Sequence, residues 1–210
     1  MKIHTVILAA GEGSRMLSNK AKSLQPLGGH SMLQRIYSTV KDISDEATFV
    51  VGYEKHAIIA ETKLFDGIIH TAEQKKPIGT SDAVKSALSS ITESSIVLVL
   101  YGDVPLIKQD TLEKLITETK DELTILSTII DNPQGYGRVK KDTQGFAQEI
   151  IEEKDASSSE KQIKEVFTGI LCCKKELLEE AINEVGNDNA AGEYYLTDIV
   201  SIISSKGYKI

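Results

Sequence analysis

The stretch VILAAGEGSRM, residues 6–16, runs from an apolar segment straight into two glycines, an acid and an arginine. A strand that breaks into a Gly-rich, cation-bearing loop is a common way to hold a phosphate, because backbone N–H groups are exposed and arginine supplies a fixed charge. Two well-known loop templates fail here. A dinucleotide fingerprint asks for a third glycine where Met16 stands, and a Walker loop asks for a glycine there followed by lysine. What remains is an apolar strand ending in Leu8, Ala9 and Ala10, then Gly11 and Gly13, Arg15, and seven residues later Lys22. Backbone amides with two cations suit a triphosphate whose charge must be neutralised during attack on phosphorus. The same residues also suit a tight turn with a surface Arg and Lys.

Outward from this stretch, apolar β-branched runs at 5–10, 48–51, 67–70, 96–101, 123–130, 137–141 and 166–173 alternate with segments of helical period. The alternation predicts a doubly wound α/β domain, a mostly parallel sheet covered by helices on both faces. Ser31 is placed to cap a helix with Leu33, Ile36, Tyr37 and Val40 on one face, and Thr80 to cap another carrying Ala83, Val84, Ala87, Leu88 and Ile91. Further helices are predicted over 110–119, 174–185 and 194–205. Two turn-rich or polar segments, 131–145 and 152–162, break the pattern and read as a flap beside the site. No internal repeat or linker divides the 210 residues, so one domain over 1–210 is expected.

In an open α/β sheet ligands collect at the carboxyl ends of the strands, which directs attention to two more loops. In AEQKKPIGTSDAV, residues 72–84, Gln74 offers an amide donor and a carbonyl acceptor, the pairing that reads the edge of a pyrimidine base. Gly79 and Thr80 bring backbone and hydroxyl beside it. A solvated loop glutamine would look the same. In VLVLYGDVPL, residues 97–106, a buried strand delivers Asp103 to its carboxyl end. An acid there caps the next helix or binds a metal. Val104-Pro105 leaves it far from Asp110, and one carboxylate on Mg²⁺ beside substrate phosphates is a common arrangement.

Composition narrows the partners. Hydrophobic residues make up 40% and charged residues 26%, as in an ordinary globular domain. With 31 acids against 24 basic residues the formal charge is -7, and the paired lysines at 75–76, 140–141 and 174–175 have acids close by. Nucleic acid is therefore not expected as a partner. The adjacent Cys172 and Cys173 follow Ile170 and Leu171, which suggests a buried strand rather than a metal or redox site. The apolar run 6–10 is too short for a signal core or a membrane span, so a cytoplasmic protein with no membrane partner is expected. His4, His30, His56 and His70 are scattered singly and read as packing or surface residues. The oligomeric state is left open.

The motifs LAAGEGSRM, Lys22, GTSDAV, YGDVPL, YGRV, IEEKDA, TGIL and GEYYLTDIV, in this order and spacing, resemble the pyrophosphorylase domain of bifunctional N-acetylglucosamine-1-phosphate uridyltransferases, sugar nucleotidyltransferases. The resemblance runs from Val6 almost to the last residue. It implies a Rossmann-like nucleotidyltransferase fold with a small sugar-binding β flap, and the reaction of UTP with N-acetylglucosamine 1-phosphate to give UDP-N-acetylglucosamine and pyrophosphate for cell-envelope precursors. It implies that Leu8, Ala9, Ala10, Gly11 and Gly13 contact the nucleotide, with Gln74, Gly79 and Thr80 around uracil. Arg15 and Lys22 would act on the phosphates and Asp103 would hold Mg²⁺. Tyr101, Gly102, Gly137, Glu152, Tyr195 and Thr197 would hold the sugar phosphate.

The sequence departs from that pattern in several places. The family's Pro-Lys-Val-Leu is Ala21-Lys22-Ser23-Leu24, and a second glutamine before Gly-Thr gives way to Pro77-Ile78. The Asn before Thr-Gly-Ile-Leu is Phe167, which removes a side chain expected to hydrogen-bond the sugar. The chain also stops before the Asn that completes the family's metal site and before its acetyltransferase β-helix. Two alternatives stay open: another sugar 1-phosphate, and a catalytically weak nucleotide-binding module.

Overall fold

The computed structural model describes residues 2–13, 16–18, 20–119 and 122–210. Its centre is an eight-stranded sheet in the order β5-β4-β1-β6-β10-β8-β9, with β7 paired to β10 off this path. The strands are β1 (Ile3–Leu8), β4 (Glu46–Val51), β5 (Ile69–Glu73), β6 (Ile96–Tyr101), β7 (Leu123–Ile129), β8 (Arg138–Lys141), β9 (Ala147–Ile151) and β10 (Glu165–Lys174). A two-residue pair, β2 (Pro26–Leu27) and β3 (His30–Ser31), forms a separate ribbon.

β1 runs parallel to both β4 and β6, and β4 parallel to β5. Beyond β6 every pairing is antiparallel, so the expected mostly parallel sheet is in fact mixed. The reason is local: β7, β8, β9 and β10 follow one another largely through turns, which return the chain against its own direction.

Helices cover both faces, as the alternation predicts. Val6 and Leu8 of β1 enter one apolar cluster with α3 (Thr80–Ala87), α5 (Lys175–Glu184) and α6 (Asp198–Ser205). Ile7 enters the other with α1 (Met32–Val40), α2 (Lys55–Thr62) and α4 (Gln109–Glu118). A strand buried on both sides needs an unbroken apolar run, which is what β1 and β6 carry. Ser31 caps α1 as expected, its hydroxyl accepting from the Gln34 N–H. Cys172 and Cys173 are buried in β10, and burial raises both thiols, Cys172 to about 11.

Several expectations need correction. α3 is capped by Gly79 rather than Thr80, because the Thr80 hydroxyl is engaged elsewhere, accepting from the Leu196 N–H at 2.9 Å. α6 starts at Asp198 rather than 194, because residues 194–196 are held as a loop: Tyr194 N–H donates to the Ile78 carbonyl and the Ser81 N–H to the Tyr194 carbonyl. α2 and β9 were not expected. Nor are all the histidines scattered, since His4 and His70 stack 6.0 Å apart and share Glu46. They lie at the amino ends of the parallel strands, away from the cleft described next, and burial lowers His4 to about 4.

Candidate active site

At the carboxyl ends of β1, β5 and β6 the chain leaves a cavity of about 350 Å³. It is lined by Leu8, Ala9, Ala10, Gly11 and Gly13 of the first loop, by Lys22, by Gln74, Gly79 and Thr80 of the second, and by Tyr101, Gly102 and Asp103 of the third. The three loops singled out from the sequence therefore meet in one place. Arg15, the other cation expected at the phosphates, lies outside the described residues.

Small residues make this convergence possible. A Cβ on Gly13 would stand 2.6 Å from Lys22 Cβ, and one on Gly102 would stand 2.9 Å from the Leu8 carbonyl oxygen. Gly79, at φ +142°, is tighter still, since its Cβ would fall 2.2 Å from the Tyr194 carbonyl oxygen. Only glycine lets the chain approach its neighbours this closely.

Lys22 begins a short 3₁₀ turn, Lys22–Leu24, whose Ser23 and Leu24 are buried. The Ala21 N–H just before it donates to Glu54 Oε2 at 2.7 Å, which anchors the turn from the far side. So placed, the Lys22 ammonium is ion-paired and hydrogen-bonded with Asp103 Oδ2. Asp103 thus presents its carboxylate to the cleft and already balances a cation there, which fits a Mg²⁺ ligand. Among the described residues no group of three or more His, Cys, Asp or Glu side chains forms a cage. A metal at Asp103 would complete its shell with water and substrate oxygens, as Mg²⁺ commonly does.

Gln74 gives a more restricted group than expected. Its Nε2 donates to the Gly79 carbonyl at 2.9 Å and to Asp82 Oδ2 at 3.0 Å. The donor half of the side chain is spent within the protein and the carbonyl half is left for the cleft. In the sequence Asp82 reads as an ordinary acid in the first turn of a helix. Glu193 and Pro77 also line the cavity.

Gly137, Glu152, Tyr195 and Thr197 gather beside this cavity. Thr197 Oγ1 donates to Glu152 Oε1 at 3.0 Å. A Cβ on Gly137 would meet Ile150 Cγ2 at 2.7 Å and Glu152 Oε1 at 3.6 Å. Burial, reinforced by Asp155 and Glu193, raises the Glu152 carboxyl, and the Thr197 hydrogen bond only partly offsets this. Burial likewise raises the Tyr195 phenol, with Asp155, Glu152, Glu193 and Asp198 adding to it. Tyr101 joins the two regions. It is hydrogen-bonded to the Thr80 side chain and feels Glu152 and Asp103, and burial pushes it to about 12, so it remains a neutral phenol.

The flap expected from 131–145 and 152–162 is built on the β8–β9 pair at the sheet edge. Arg138, buried at 1% exposure, ties it down through Glu153 Oε2 at 2.6 Å. Phe167 is only 6% exposed and belongs to the apolar cluster that holds Ile150 and Leu196. Its ring is therefore core, although its N–H donates to the Gly137 carbonyl at 2.9 Å beside the flap.

The mixed α/β fold is one that solved sugar nucleotidyltransferase structures share. A solved UDP-glucose pyrophosphorylase complexed with UDP-glucose matches with a TM-score of 0.78 at 15% identity, covering 100% of this chain and 89% of that one. A Bacillus anthracis structure described as a glucose-1-phosphate thymidylyltransferase matches with a TM-score of 0.77 at 20% identity, covering 98% and 84%. The sequence places the chain more narrowly: it belongs to the MobA-like NTP transferase domain family, whose pattern matches residues 5–136. Bifunctional protein GlmU of Francisella philomiragia is 46% identical over 203 residues, and that of Ruthia magnifica 44% identical over 207. These alignments cover 96% and 98% of this chain but 44% and 45% of those proteins, so the chain spans less than half the length of the relatives it matches. No helix among the described residues is long and apolar enough to cross a membrane.

Proposed function

We propose that the chain transfers a uridylyl group from UTP to N-acetylglucosamine 1-phosphate, forming UDP-N-acetylglucosamine and pyrophosphate, with Mg²⁺ as cofactor. The observation that carries this reading is the Lys22–Asp103 pair, a cation and a carboxylate in direct contact in the wall of a glycine-lined cleft at the carboxyl ends of the parallel strands. The choice of substrates follows the motif resemblance and the likeness to GlmU proteins. The setting would be the cytoplasm, where envelope precursors are made.

The chemistry asks little of protein acids or bases. A phosphate oxygen of the sugar phosphate, already anionic, attacks the α-phosphorus of UTP in line. A new P–O bond forms while the bond from that phosphorus to the β-bridging oxygen breaks, and pyrophosphate leaves with the electron pair. Catalysis is then positioning and charge neutralisation. Backbone N–H groups around Gly11 and Gly13 face the triphosphate, and Lys22 and Arg15 offset its growing charge. Asp103 would hold Mg²⁺, which when bound supplies further positive charge to the phosphate oxygens. Glu152 and Thr197, with Gly137 and Tyr195, would orient the sugar.

Incubation with UTP, N-acetylglucosamine 1-phosphate and Mg²⁺ should release pyrophosphate. Absence of release with any sugar 1-phosphate in a panel, at high enzyme concentration, would overturn the reading. UTP binding by calorimetry without turnover would instead mark a nucleotide-binding module.

A further inference from the structure

Gln74 stands just past β5, with its side chain in the cleft lining, and both of its amide hydrogens are engaged by the protein. The two partners, the Gly79 carbonyl and the Asp82 carboxylate, are acceptors only. The amide can therefore face them only with its NH₂, because the rotated form would set Oε1 against two other oxygens. An amide orientation is ordinarily ambiguous and is fixed by its hydrogen-bond neighbours, which here allow one answer. Oε1 accepts no hydrogen bond from the described residues, so the side chain presents an acceptor, and no donor, to whatever enters. Among pyrimidines, uracil carries an N–H at ring position 3, where cytosine carries a lone pair.

We propose that Asp82 is a specificity-determining positioning residue: it locks the Gln74 amide so that the cleft accepts a hydrogen bond from an imide N–H, admitting a uracil-type base and rejecting cytosine. The proposal deepens the nucleotidyltransferase reading above and rests on it. Asp82 acts through Gln74, since it lies outside the cleft lining, in a groove on the other side of the turn with Ile78, Lys85 and Tyr194. Gly79 alone would hold one amide hydrogen and leave the second free. The carboxylate makes the alternative orientation repulsive.

The test is calorimetric binding of UTP and of CTP, each with Mg²⁺, to the parent chain and to Asp82→Asn and Asp82→Ala. Asn can accept or donate, so it removes the carboxylate's repulsion of the turned Gln74 amide at nearly unchanged shape, leaving Gly79 as the one fixed acceptor, and it carries the test should the alanine variant unfold. The parent should prefer UTP by about tenfold or more, and the variants should lose about five- to tenfold of that preference, chiefly by gaining CTP affinity. A merely structural Asp82 would weaken both nucleotides alike, and an unchanged UTP-to-CTP ratio in both variants overturns the proposal. A parent that binds UTP and CTP equally also overturns it while leaving the nucleotide reading standing. A parent that binds neither overturns both.

Discussion

The two sides of the candidate site are made of different materials. On the parallel side, where β5, β4, β1 and β6 end, the walls are backbone and small residues, with the Lys22–Asp103 pair set into them. On the antiparallel side, around β8, β9 and the loop before α6, side chains dominate: Glu152, Asp155, Glu193 and Asp198 with the hydroxyls of Tyr195 and Thr197. In the proposed reaction the first kind of surface would let a polyanion approach N–H groups and a cation. The second would act through hydrogen bonds whose strength follows protonation. Substitutions on the two sides should therefore leave separable marks, the first on phosphate chemistry and the second on the sugar and on pH.

The largest effect is expected at Asp103. Asp103→Asn keeps the shape and removes the charge of a side chain whose ion pair with Lys22 is partly exposed, so stability should change by less than about 1 kcal/mol. Turnover should fall by about 10²- to 10³-fold, since the carboxylate that would hold Mg²⁺ and that pairs with the Lys22 ammonium is lost. Equal activity would show the parallel side to be a scaffold only. Next comes Gly79→Ala. The added methyl would fall 2.2 Å from the Tyr194 carbonyl oxygen, at a φ of +142° that favours glycine. Strain of about 2–3 kcal/mol should lower the Tm by about 5–10 °C. It should also weaken both substrates, because this contact joins the two sides. An effect on UTP alone would show that the two sides do not depend on each other through this contact.

The same division decides what could be read from the sequence. β1, β4 and β6 announce themselves because strands buried on both faces must be continuously apolar, and the ends of β1 and β6 deliver Gly11, Gly13 and Asp103 to the carboxyl edge of the sheet, where ligands collect in such folds. Helix α1 is legible through Ser31. Helix α2 is not, since KHAIIAET gathers no apolar face and is entered through Glu54 at φ +50° rather than a conventional cap. On the antiparallel side, AQEII is too short and too mixed to register as β9, and the turns on either side hide its pairing with β8. Residues 194–197 look helical in sequence but are held in a loop by Ile78, Thr80 and Ser81, partners more than 100 residues away that no local pattern shows. The Asp82–Gln74 bond was hidden for the simpler reason that an acid at a helix start needs no other purpose. Phe167 stands out only against the family pattern, and its ring lies buried in the core.

A smaller effect sharpens the antiparallel side. Thr197 is 5% exposed and donates to Glu152, so Thr197→Val keeps the volume but leaves a half-buried carboxylate short of a donor. A loss of about 1–2 kcal/mol is expected, seen as a five- to thirtyfold rise in KM for the sugar phosphate with UTP affinity held within about twofold. Glu152, already raised by burial and held back by this bond, should rise further and move the acidic limb of the activity profile upward. Equal losses for UTP and sugar phosphate would merge the two sides.

The smallest effect concerns Asp198, and its sign is the informative part. Burial, with Glu152, Asp155 and Glu149 around it, lifts this carboxyl from 3.8 to about 6. A carboxyl raised on folding binds its proton more tightly in the folded chain, so its contribution to stability is fully present below about pH 4 and is lost as pH rises through about 6. Asp198→Asn removes that loss. The group is half-buried and sits in the first turn of α6, where the helix dipole favours a negative charge and offsets part of the penalty. After solvent screening the gain should be on the order of 1 kcal/mol near pH 7, about 2–4 °C in Tm, with none at pH 4. Thermal unfolding of parent and variant from pH 4 to 8 should give curves that coincide at the acid end and separate between pH 4 and 6. Curves that stay parallel would mean that the acidic surroundings of Glu152 are open enough to water for its carboxylates to ionise independently, and the contrast with the parallel side would then rest on hydrogen bonds alone.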